Sequence, residues 1–303
     1  MAFLYKIPVM KSYEIAWGSH RLILGNTTRI MGIVNVTPDS FSDGGFFFNT
    51  DAAIAHGEKL VEDGADILDI GGESSRPFSE PVSEKEEIRR VVPVIKKLAK
   101  RISVPISIDT TKSVVAQYAI DAGAGIINDI SALHSDKKLA EIAAKYGVPV
   151  ILMHMKGTPE NMQLSPHYDN LLEEIKKYLK DAAQNALNSG IDKSKIIIDP
   201  GIGFGKTIEH NLLLIKNLHE LADLDMPVLI GPSRKAFIRK IIKNNPEIEL
   251  KPHSPAVETG TQAAVAAAVF AGAHIVRVHD VANTVSTVRI IDAIKNAGEF
   301  RIK

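Results

Sequence analysis

The stretch VPISIDTTKSVVAQYAIDAGAGIINDI (residues 104–130) consists of two short apolar runs separated by a longer amphipathic segment. Runs that are apolar at nearly every position are typical of parallel β-strands covered on both faces. The segment between them spaces its apolar residues three and four apart, as a helix does, and Gly123 is a suitable helix stop. The stretch therefore predicts a strand, a helix and a second strand parallel to the first.

Eight such apolar runs recur along the chain, with amphipathic segments of helical period between them. The runs are RIMGIVNV (29–36), DILDIGGE (66–73), VPISIDT (104–110), GIINDI (125–130), VPVILMHM (148–155), KIIIDPG (195–201), MPVLIG (226–231) and HIVRVHD (274–280). Eight alternations form either an open doubly wound sheet or a closed barrel, and the first run is not followed by the glycine-rich turn that would favour the open sheet. We therefore predict one (β/α)8 TIM barrel domain over residues 1–303. Two further runs, YEIAWG and HRLILG, predict a β-hairpin at about residues 12–25 that closes the N-terminal face of the barrel.

The charge balance and the absence of cysteine exclude several classes of protein. The chain has 36 Lys and Arg residues against 36 Asp and Glu, so no long-range field attracts nucleic acid or an anionic membrane. Without cysteine, disulfides, thiol nucleophiles and cysteine-ligated metals are excluded. No apolar run approaches the roughly 18 residues that a membrane-spanning helix needs. We expect a cytoplasmic protein without nucleic-acid or membrane partners.

Each apolar run turns polar where it ends. The polar residues at or near these ends are Asn35, Asp69, Asp109, Asn128, His154, Asp199, Arg277 and His279, and the seventh run leads into Ser233, Arg234 and Lys235. In a barrel all strands end at one face, where barrel enzymes build their active sites. A single Asp or Asn at such a position often only caps the next helix. Because all the runs share the pattern, we predict an active site at this face.

Two residues of the last run suggest an anion site. Arg277 and His279 lie two apart and so point to the same face of a strand, where both can donate hydrogen bonds to a phosphate. The alternative is that Arg277 only pairs with a carboxylate. His154, flanked by methionines, is interpreted as a packed core histidine, and His274, five residues before His279, faces the other way. A two-histidine metal site is therefore not expected.

The glycine-rich segment GIGFGKT (201–207) resembles a phosphate-binding loop without matching one. The Walker A pattern requires glycine where Pro200 stands, and the dinucleotide fingerprint requires glycine where Lys206 stands. Nicotinamide cofactors are therefore not indicated. The glycines permit either a close approach of the backbone to a flat ligand, with Phe204 as a stacking face, or only a tight turn.

Eight segments at or near the strand ends can be taken together. They are MGIVNVTPDSFSDGG (31–45), DIGGESSRP (69–77), SIDT (107–110), IINDI (126–130), LMHM (152–155), DPGIGFGK (199–206), GPSRK (231–235) and VRVHDV (276–281). In order and spacing they resemble the dihydropteroate synthase family, from Met31 to near the end of the chain. The resemblance implies a TIM-barrel transferase of folate biosynthesis, which joins dihydropterin pyrophosphate to 4-aminobenzoate and releases pyrophosphate.

The resemblance implies roles for most of the strand-end residues. Asn35 matches the family residue that holds Mg²⁺ and pyrophosphate, and Arg277 and His279 match its anion-binding pair. The pterin site is implied at Asp109, Asn128, Met153, Asp199, Phe204 and Lys235. The residues expected to act in catalysis are Asn35, Lys235, Arg277 and His279, and none of them is assigned as an essential base.

The aminobenzoate site is implied at the seventh strand end and in two loops. Ser233 matches a contact to the aminobenzoate carboxylate, and the loop residues are Phe41, Ser75, Arg76 and Pro77. The chain departs from the family pattern here, with Ser75 where threonine is commoner and Phe78 where glycine is commoner.

Two features of the chain leave an alternative open. The added aromatics Phe46, Phe47 and Phe48 either pack on the barrel rim or form a lid over the second substrate site. The family resemblance implies a homodimer, and the alanine-rich segment TQAAVAAAVFAGA (261–273) permits close helix packing across an interface, or only against the barrel.

Three other functions share part of this pattern. A pterin-binding methyltransferase has the same barrel and the Asp109, Asn128 and Asp199 set, but does not need residues 233–235 or the Arg277/His279 pair. A non-catalytic pterin-binding paralogue would not need Asn35. An archaeal-type synthase would use a derivative of aminobenzoate as the second substrate.

Overall fold

The computed structural model describes residues 10–37, 46–75, 79–243 and 249–297, with the backbone alone for residues 46–49. The strands are β1 Tyr13–Trp17, β2 His20–Leu24, β3 Arg29–Asn35, β4 Ile67–Gly71, β5 Ile106–Asp109, β6 Ile126–Asp129, β7 Val150–Met153, β8 Ile196–Asp199, β9 Leu229–Ile230 and β10 Ile275–Val278. The α-helices are α1 Phe46–Glu62, α2 Glu84–Leu98, α3 Ser113–Asp121, α4 Lys138–Tyr146, α5 Leu171–Asn188, α6 Ile208–Lys216, α7 Ala236–Ile242, α8 Pro255–Phe270 and α9 Val281–Lys295.

Strands β3 to β10 form a parallel barrel. Their hydrogen-bonded order is β8-β7-β6-β5-β4-β3-β10-β9. A parallel bridge between Ile198 in β8 and Val228, the residue before β9, joins the two ends of this order. The predicted (β/α)8 barrel is confirmed, and all eight apolar runs contain a barrel strand.

The burial of the strands explains why the runs read as continuously apolar. Every residue of β4, β6, β7 and β8 is buried, because the barrel interior covers one face and the surrounding helices the other. Three of these strands also bury an acidic residue, Asp69 in β4, Asp129 in β6 and Asp199 in β8. Asp129 is satisfied locally, since its carboxylate accepts hydrogen bonds from Ser131 and Leu133.

The N-terminal hairpin covers the amino end of the barrel, as predicted. Strands β1 and β2 pair in antiparallel register from Tyr13↔Leu24 to Trp17↔His20. The Trp17 ring packs on Gly125, directly before β6, where an added Cβ would stand 2.6 Å from the Trp17 Nε1 atom. Because the hairpin packs at this end, we expect a ligand to bind at the carboxyl ends of the strands.

Two elements differ from the predicted pattern. The amphipathic segment between the runs KIIIDPG and MPVLIG does not form one helix, because it is divided at Asn217 into α6 and a 3-10 helix, Leu218–Leu224. The short helix α7 was not predicted, because seven residues are too few to show a helical period. Phe237 and Ile238 bury its apolar side, and α7 begins directly after Lys235. Within the described ranges, every helix is too short or too polar to cross a membrane.

Candidate active site

A network of four side chains from four strands lies at the carboxyl ends of the barrel strands. Arg277 of β10 donates from Nε to Asp69 Oδ2 at 2.6 Å and from Nη2 to Asp109 Oδ2 at 2.7 Å. Asn128 of β6 donates from Nδ2 to the same Asp69 oxygen at 3.0 Å. Because β3 lies between β10 and β4, the Arg277 side chain reaches past a neighbouring strand to make these contacts.

Asp69 is the member of this network to which sequence reasoning gave no role. Its side chain is fully buried, and its Oδ1 atom has no hydrogen-bond partner among the described residues. A buried carboxylate oxygen without a partner costs free energy unless a ligand or water satisfies it. The signal in the sequence is a lone acid inside the apolar run DILDIG, two residues before the strand ends.

Burial changes the ionisation of the acids at the site. It raises the pKa of Asp109 to about 7. The Arg277 guanidinium acts to lower this pKa, and the negative charge of Asp69 acts to raise it. Burial also raises the pKa of Asp199 to about 6. Here the Gly201 amide, which donates to Asp199 Oδ1 at 2.7 Å, opposes the effect, as do the charges of Lys235, Arg277 and Lys206. The site therefore holds carboxyls that change protonation near neutral pH.

The apolar wall of the site is a cluster of Met153, Met162 and Phe204, all buried, against which Ile130 and Met155 pack. It lies apart from the main hydrophobic core, at the end of β7 and in the loop after β8. The structure thus brings together Met153 and Phe204, two of the residues that the resemblance placed in the pterin pocket.

The Lys235 side chain lies over the Phe204 ring of this apolar wall. Its Nζ atom lies 4.0 Å from the centroid of the Phe204 ring, a cation–π arrangement. Burial lowers the pKa of Lys235 to about 8, and the Arg277 charge lowers it further, while Asp199 and Asp109 oppose the effect. An added Cβ at Gly203 would stand 3.0 Å from Lys235 Cδ, so a glycine leaves the space that this side chain occupies.

The glycines after β8 hold the loop against the end of β7. Gly201 and Gly205 have positive φ angles of 70° and 63°. An added Cβ would stand 2.0 Å from the His154 carbonyl oxygen at Gly201, and 2.4 Å from that of Lys156 at Gly205. The sequence left open a close approach to a flat ligand or only a tight turn, and at these two glycines the contacts are those of a tight turn packed against the chain after β7.

Ser233 and His279 form a second polar pair, on the β9 side of the barrel mouth. The His279 backbone N–H donates to Ser233 Oγ at 3.2 Å, and this hydroxyl lies 2.9 Å from His279 Nδ1. The hydroxyl oxygen accepts from the His279 backbone, and the second contact, between the hydroxyl and Nδ1, fixes the orientation of the His279 ring. Arg277 reaches Asp69 of β4 and Asp109 of β5, whereas His279 contacts Ser233.

Arg234, between Ser233 and Lys235, points away from this site. Its φ angle is +59°, which is uncommon for a residue other than glycine. Its backbone N–H donates to Thr261 Oγ1 at 3.1 Å, and its Nε donates to Glu258 at 3.2 Å. The contacts to α8 hold this strained turn, which directs the side chains of Ser233 and Lys235 to the site.

Asn35 is the last residue of β3 and is partly buried beside Gly71 of β4. Within the described part of the chain, no hydrogen bond occupies its side chain, and no group of three His, Asp or Glu side chains could hold a metal ion. One amide oxygen suits an ion that takes its other ligands from water and phosphate, as Mg²⁺ does.

The second-substrate residues are only partly described. Phe41, Arg76 and Pro77 lie outside the described residues, as does Phe78, and of Phe46 to Phe48 the structure describes only the backbone that begins α1. Ser75 lines a cavity of about 420 Å³ next to Asp109, Ile130 and Met155. A larger groove of about 780 Å³, beside α5 on the outside of the barrel, contains none of the strand-end site residues.

The two remaining histidines of the strand runs are structural, as interpreted from the sequence. His154 is buried, and its Nδ1 lies 2.9 Å from Lys206 Nζ. Burial lowers the pKa of His154 to about 2, and the Lys206 charge adds to this effect. His274 lies at the opposite end of the barrel, where its Nδ1 accepts from the Val228 amide at 3.1 Å.

Together, the closed barrel and the acidic and basic groups at the carboxyl ends of its strands define a (β/α)8-barrel enzyme. A family model described as pterin binding enzyme matches residues 31–279. The chain belongs to this family of pterin-binding enzymes.

Curated relatives and solved structures give a narrower comparison. Dihydropteroate synthase of Bacillus subtilis is 44% identical over 271 residues, which cover 89% of this chain and 90% of the relative. That of Escherichia coli is 42% identical over 270 residues, covering 89% and 93%. The structure of Xanthomonas albilineans dihydropteroate synthase with 4-aminobenzoic acid matches with a TM-score of 0.85 at 42% identity, covering 94% of this chain and 99% of that one. The same enzyme in complex with 7,8-dihydropteroate matches with a TM-score of 0.79 at 42% identity, covering 90% and 96%.

Proposed function

We propose that this protein is a dihydropteroate synthase. It condenses 6-hydroxymethyl-7,8-dihydropterin pyrophosphate with 4-aminobenzoate to give 7,8-dihydropteroate and pyrophosphate. The proposal depends on the arrangement of side chains at the carboxyl ends of the barrel strands. There, the carboxylates bound to Arg277 and the apolar wall of Met153 and Phe204 lie beside the ammonium group of Lys235. The relatives described above, at 42% to 44% identity over about nine-tenths of the chain, support it.

The pterin ring is assigned to the pocket between Asp109, Asn128 and Asp199. A pterin edge presents N–H donors beside acceptor atoms, so carboxylates that accept and an amide that does both suit it. The unpartnered Oδ1 of Asp69 provides a further buried acceptor beside Asn128. Met153 and Phe204 then pack on the flat faces of the ring, and the Lys235 ammonium lies next to it.

The pyrophosphate is assigned to the basic groups around Arg277 and His279. The Ser233 hydroxyl holds the His279 ring through its contact with Nδ1, and a His279 ring with a proton on Nε2 donates from that atom to the anion. Asn35 would hold Mg²⁺, which supplies further neutralisation of the pyrophosphate charge when bound. The Arg277 guanidinium, held by Asp69 and Asp109, is fixed in position before the substrate binds.

The reaction exchanges one bond of the pterin methylene carbon for another. The C–O bond breaks, and its electron pair leaves with pyrophosphate, while the positive charge on the pterin methylene is stabilised by the ring and by nearby carboxylates. The lone pair of the aminobenzoate nitrogen then forms the C–N bond, and that nitrogen releases a proton. Because an aniline is neutral at pH 7, the work of the enzyme is positioning and charge stabilisation, without an essential base.

The second substrate is assigned to Ser233 and to the two loops that contain Phe41, Ser75, Arg76 and Pro77. Ser75 lies at the edge of a cavity large enough for a small ring. The departures from the family pattern at Ser75 and Phe78 fall in this part of the site.

Turnover of purified protein with dihydropterin pyrophosphate and 4-aminobenzoate, followed by release of pyrophosphate, tests the function. Replacement of 4-aminobenzoate by its derivatives distinguishes an archaeal-type synthase. Methyl transfer from a methylated folate, without condensation, would favour the methyltransferase. Tight pterin pyrophosphate binding without turnover of any amine would favour a non-catalytic paralogue, against which the presence of Asn35 and of the full loop motifs counts.

Activity is expected to require a divalent cation. The leaving group carries several negative charges, and Asn35 offers one ligand for Mg²⁺. Excess EDTA should abolish turnover, and added Mg²⁺ should restore it. Binding of a pterin without pyrophosphate is the control, which EDTA should leave unchanged. Full turnover in EDTA contradicts the assignment of Mg²⁺.

We also infer that the protein is a homodimer. Large apolar side chains are exposed on α6, α7 and α9, the helices around α8, at Leu212, Ile241, Ile290 and Ile294. A contiguous apolar patch on a surface marks an interaction site, and the alanine-rich helix α8 beside these helices permits close packing across an interface. Light scattering at micromolar concentration should give about twice the chain mass of 33.0 kDa. A mass near that of one chain excludes the dimer.

A further inference from the structure

The loop after β8 contains a buried lysine that the reaction described above does not use. Lys206 is only 3% exposed. Its Nζ atom lies 2.9 Å from the Phe204 carbonyl oxygen, 2.9 Å from His154 Nδ1 and 3.4 Å from the His154 carbonyl oxygen. A lysine ammonium has three N–H donors, so three acceptors enclose this one.

These contacts join the loop to the end of β7. The backbone of the loop already packs there through Gly201 and Gly205, and Tyr168 Oη donates to the Gly205 carbonyl at 2.8 Å. The Lys206 ammonium adds charge-assisted hydrogen bonds that link His154 to the backbone of Phe204, whose ring packs under the Lys235 side chain. Loss of these hydrogen bonds would allow the Phe204 ring to move.

Lys206 also acts on Asp199 through its charge. Its positive charge is among those that favour the ionised form of the buried Asp199 carboxyl. Burial lowers the pKa of Lys206 itself to about 7, Asp199 opposes that effect, and Lys235 adds to it. The charged and titratable groups around the pair are His154 directly after β7, His210 on α6, Lys235 before α7 and Arg277 on β10.

Packing alone does not account for this residue. An ammonium buried in a protein loses its hydration, and an apolar side chain of similar length often gives equal or greater stability. A lysine is needed here only if its charge or its hydrogen bonds have a further effect. Both effects converge on Asp199 and Phe204, two residues assigned to the pterin.

We propose that Lys206 is a positioning residue for the pterin half of the site, which acts through Asp199 and Phe204 without contact to the ligand. The inference rests on the proposed function, because it assumes that pterin binds against Asp199 and Phe204. It separates Lys206 from Lys235, whose ammonium lies in the pocket itself.

The test compares Lys206→Met, which removes the charge and the donors, with Lys206→Gln, which keeps a donor for the Phe204 carbonyl. Affinities for a pyrophosphate-free pterin and for pyrophosphate are titrated separately in folded protein, at several pH values. Lys206→Met is expected to weaken pterin binding by about tenfold and pyrophosphate binding by less than about twofold, with Lys206→Gln between the wild type and Met. Because loss of the Lys206 charge raises the pKa of Asp199, pterin affinity should be lost at a higher pH in both variants.

A double-mutant cycle identifies the route of the effect. In an Asp199→Asn background, Lys206→Met should weaken pterin binding by less than it does in wild type, and the pH shift should disappear. Lys156→Met is the matched control, because Lys156 also lies beside the end of β7 but with 44% of its side chain exposed. It should leave both affinities unchanged.

The remaining outcomes overturn the inference in distinguishable ways. Unchanged pterin affinity in Lys206→Met and Lys206→Gln excludes a positioning role. Equal losses for pterin and pyrophosphate, with a lower melting temperature and no pH shift, indicate a purely structural lysine. If Lys206→Met does not fold, Lys206→Gln decides by the same criteria. If Asp199→Asn alone leaves pterin affinity unchanged, the assigned pterin site is wrong and the inference fails with it.

Discussion

Arg277→Ala is expected to lower the affinity for pyrophosphate by about ten- to a hundredfold, the value of one or two charge-assisted contacts. Turnover should fall by at least as much, because the charge on the leaving group grows as its bond to the pterin methylene breaks. The pterin half of the site should lose less affinity, although Arg277 also holds the Asp109 carboxylate. Separate titrations of pyrophosphate and of a pyrophosphate-free pterin measure the ratio of the two losses.

The same substitution is expected to destabilise the fold. Asp69, fully buried, and Asp109 would lose the cation that lies between them, and removal of one partner of a buried ion pair costs about 3–5 kcal/mol. The loss should be largest at high pH and smaller as the pH falls below about 7, the pKa of Asp109, because a protonated carboxyl needs no counter-charge. Urea denaturation at two pH values measures it.

Arg289→Ala, an exposed position on α9, is the control for Arg277→Ala and should leave binding and stability unchanged. Arg277→Lys keeps the charge but cannot reach both carboxylates with the same forked geometry, so its stability should be intermediate. If pterin affinity collapses in Arg277→Ala while pyrophosphate affinity stays within about twofold, Arg277 serves the pterin and the anion assignment is wrong.

The barrel was predictable from the sequence because each strand is covered on both faces. A continuous apolar run such as that of β8 is typical of a parallel strand that is buried on both faces. Because these runs alternate regularly with helical segments, the fold is either an open α/β sheet or a barrel. Helix α7 was not predicted because its sequence, AFIRKII, is too short to show a helical period. Its burial depends on contacts with α8. The sequence shows the period of an element but not the tertiary surface that stabilises a short one.

The site was predictable as a set of residues at one face, but not as a set of contacts. Residues at strand ends converge in any barrel, so the positions of Asp109, Asn128 and Asp199 followed from the order of the strands. Arg277 contacts Asp69 because its side chain is long enough to extend past β3. The alternation of side chains along a strand shows which face Arg277 points to, but not which carboxylate it contacts. The contact between Lys206 Nζ and His154 Nδ1 likewise depends on the turn geometry at Gly201 and Gly205.

Asp199→Asn is expected to weaken pterin binding by about ten- to a hundredfold, because a charge-assisted hydrogen bond is lost and an amide donor can face the donors of the ring. The variant should fold, since the Asn oxygen can still accept from the Gly201 amide as Asp199 does at 2.7 Å. Asp199→Ala removes this acceptor as well and should cost at least as much affinity. Calorimetry with a pyrophosphate-free pterin measures both losses, and Asp192→Asn, an exposed acid at the other end of β8, is the control.

The pH dependence provides an independent test of the Asp199 assignment. Burial raises the pKa of Asp199 to about 6, and the ionised carboxylate is the form that accepts hydrogen bonds from the pterin. Pterin affinity in the intact protein should therefore be present above this pH and be lost as the pH falls through about 6. The Asn variant should lack this part of the profile but keep any change near pH 7 that comes from Asp109. If the Asn variant shows wild-type affinity, or the same loss near pH 6, a group other than Asp199 binds the edge of the pterin.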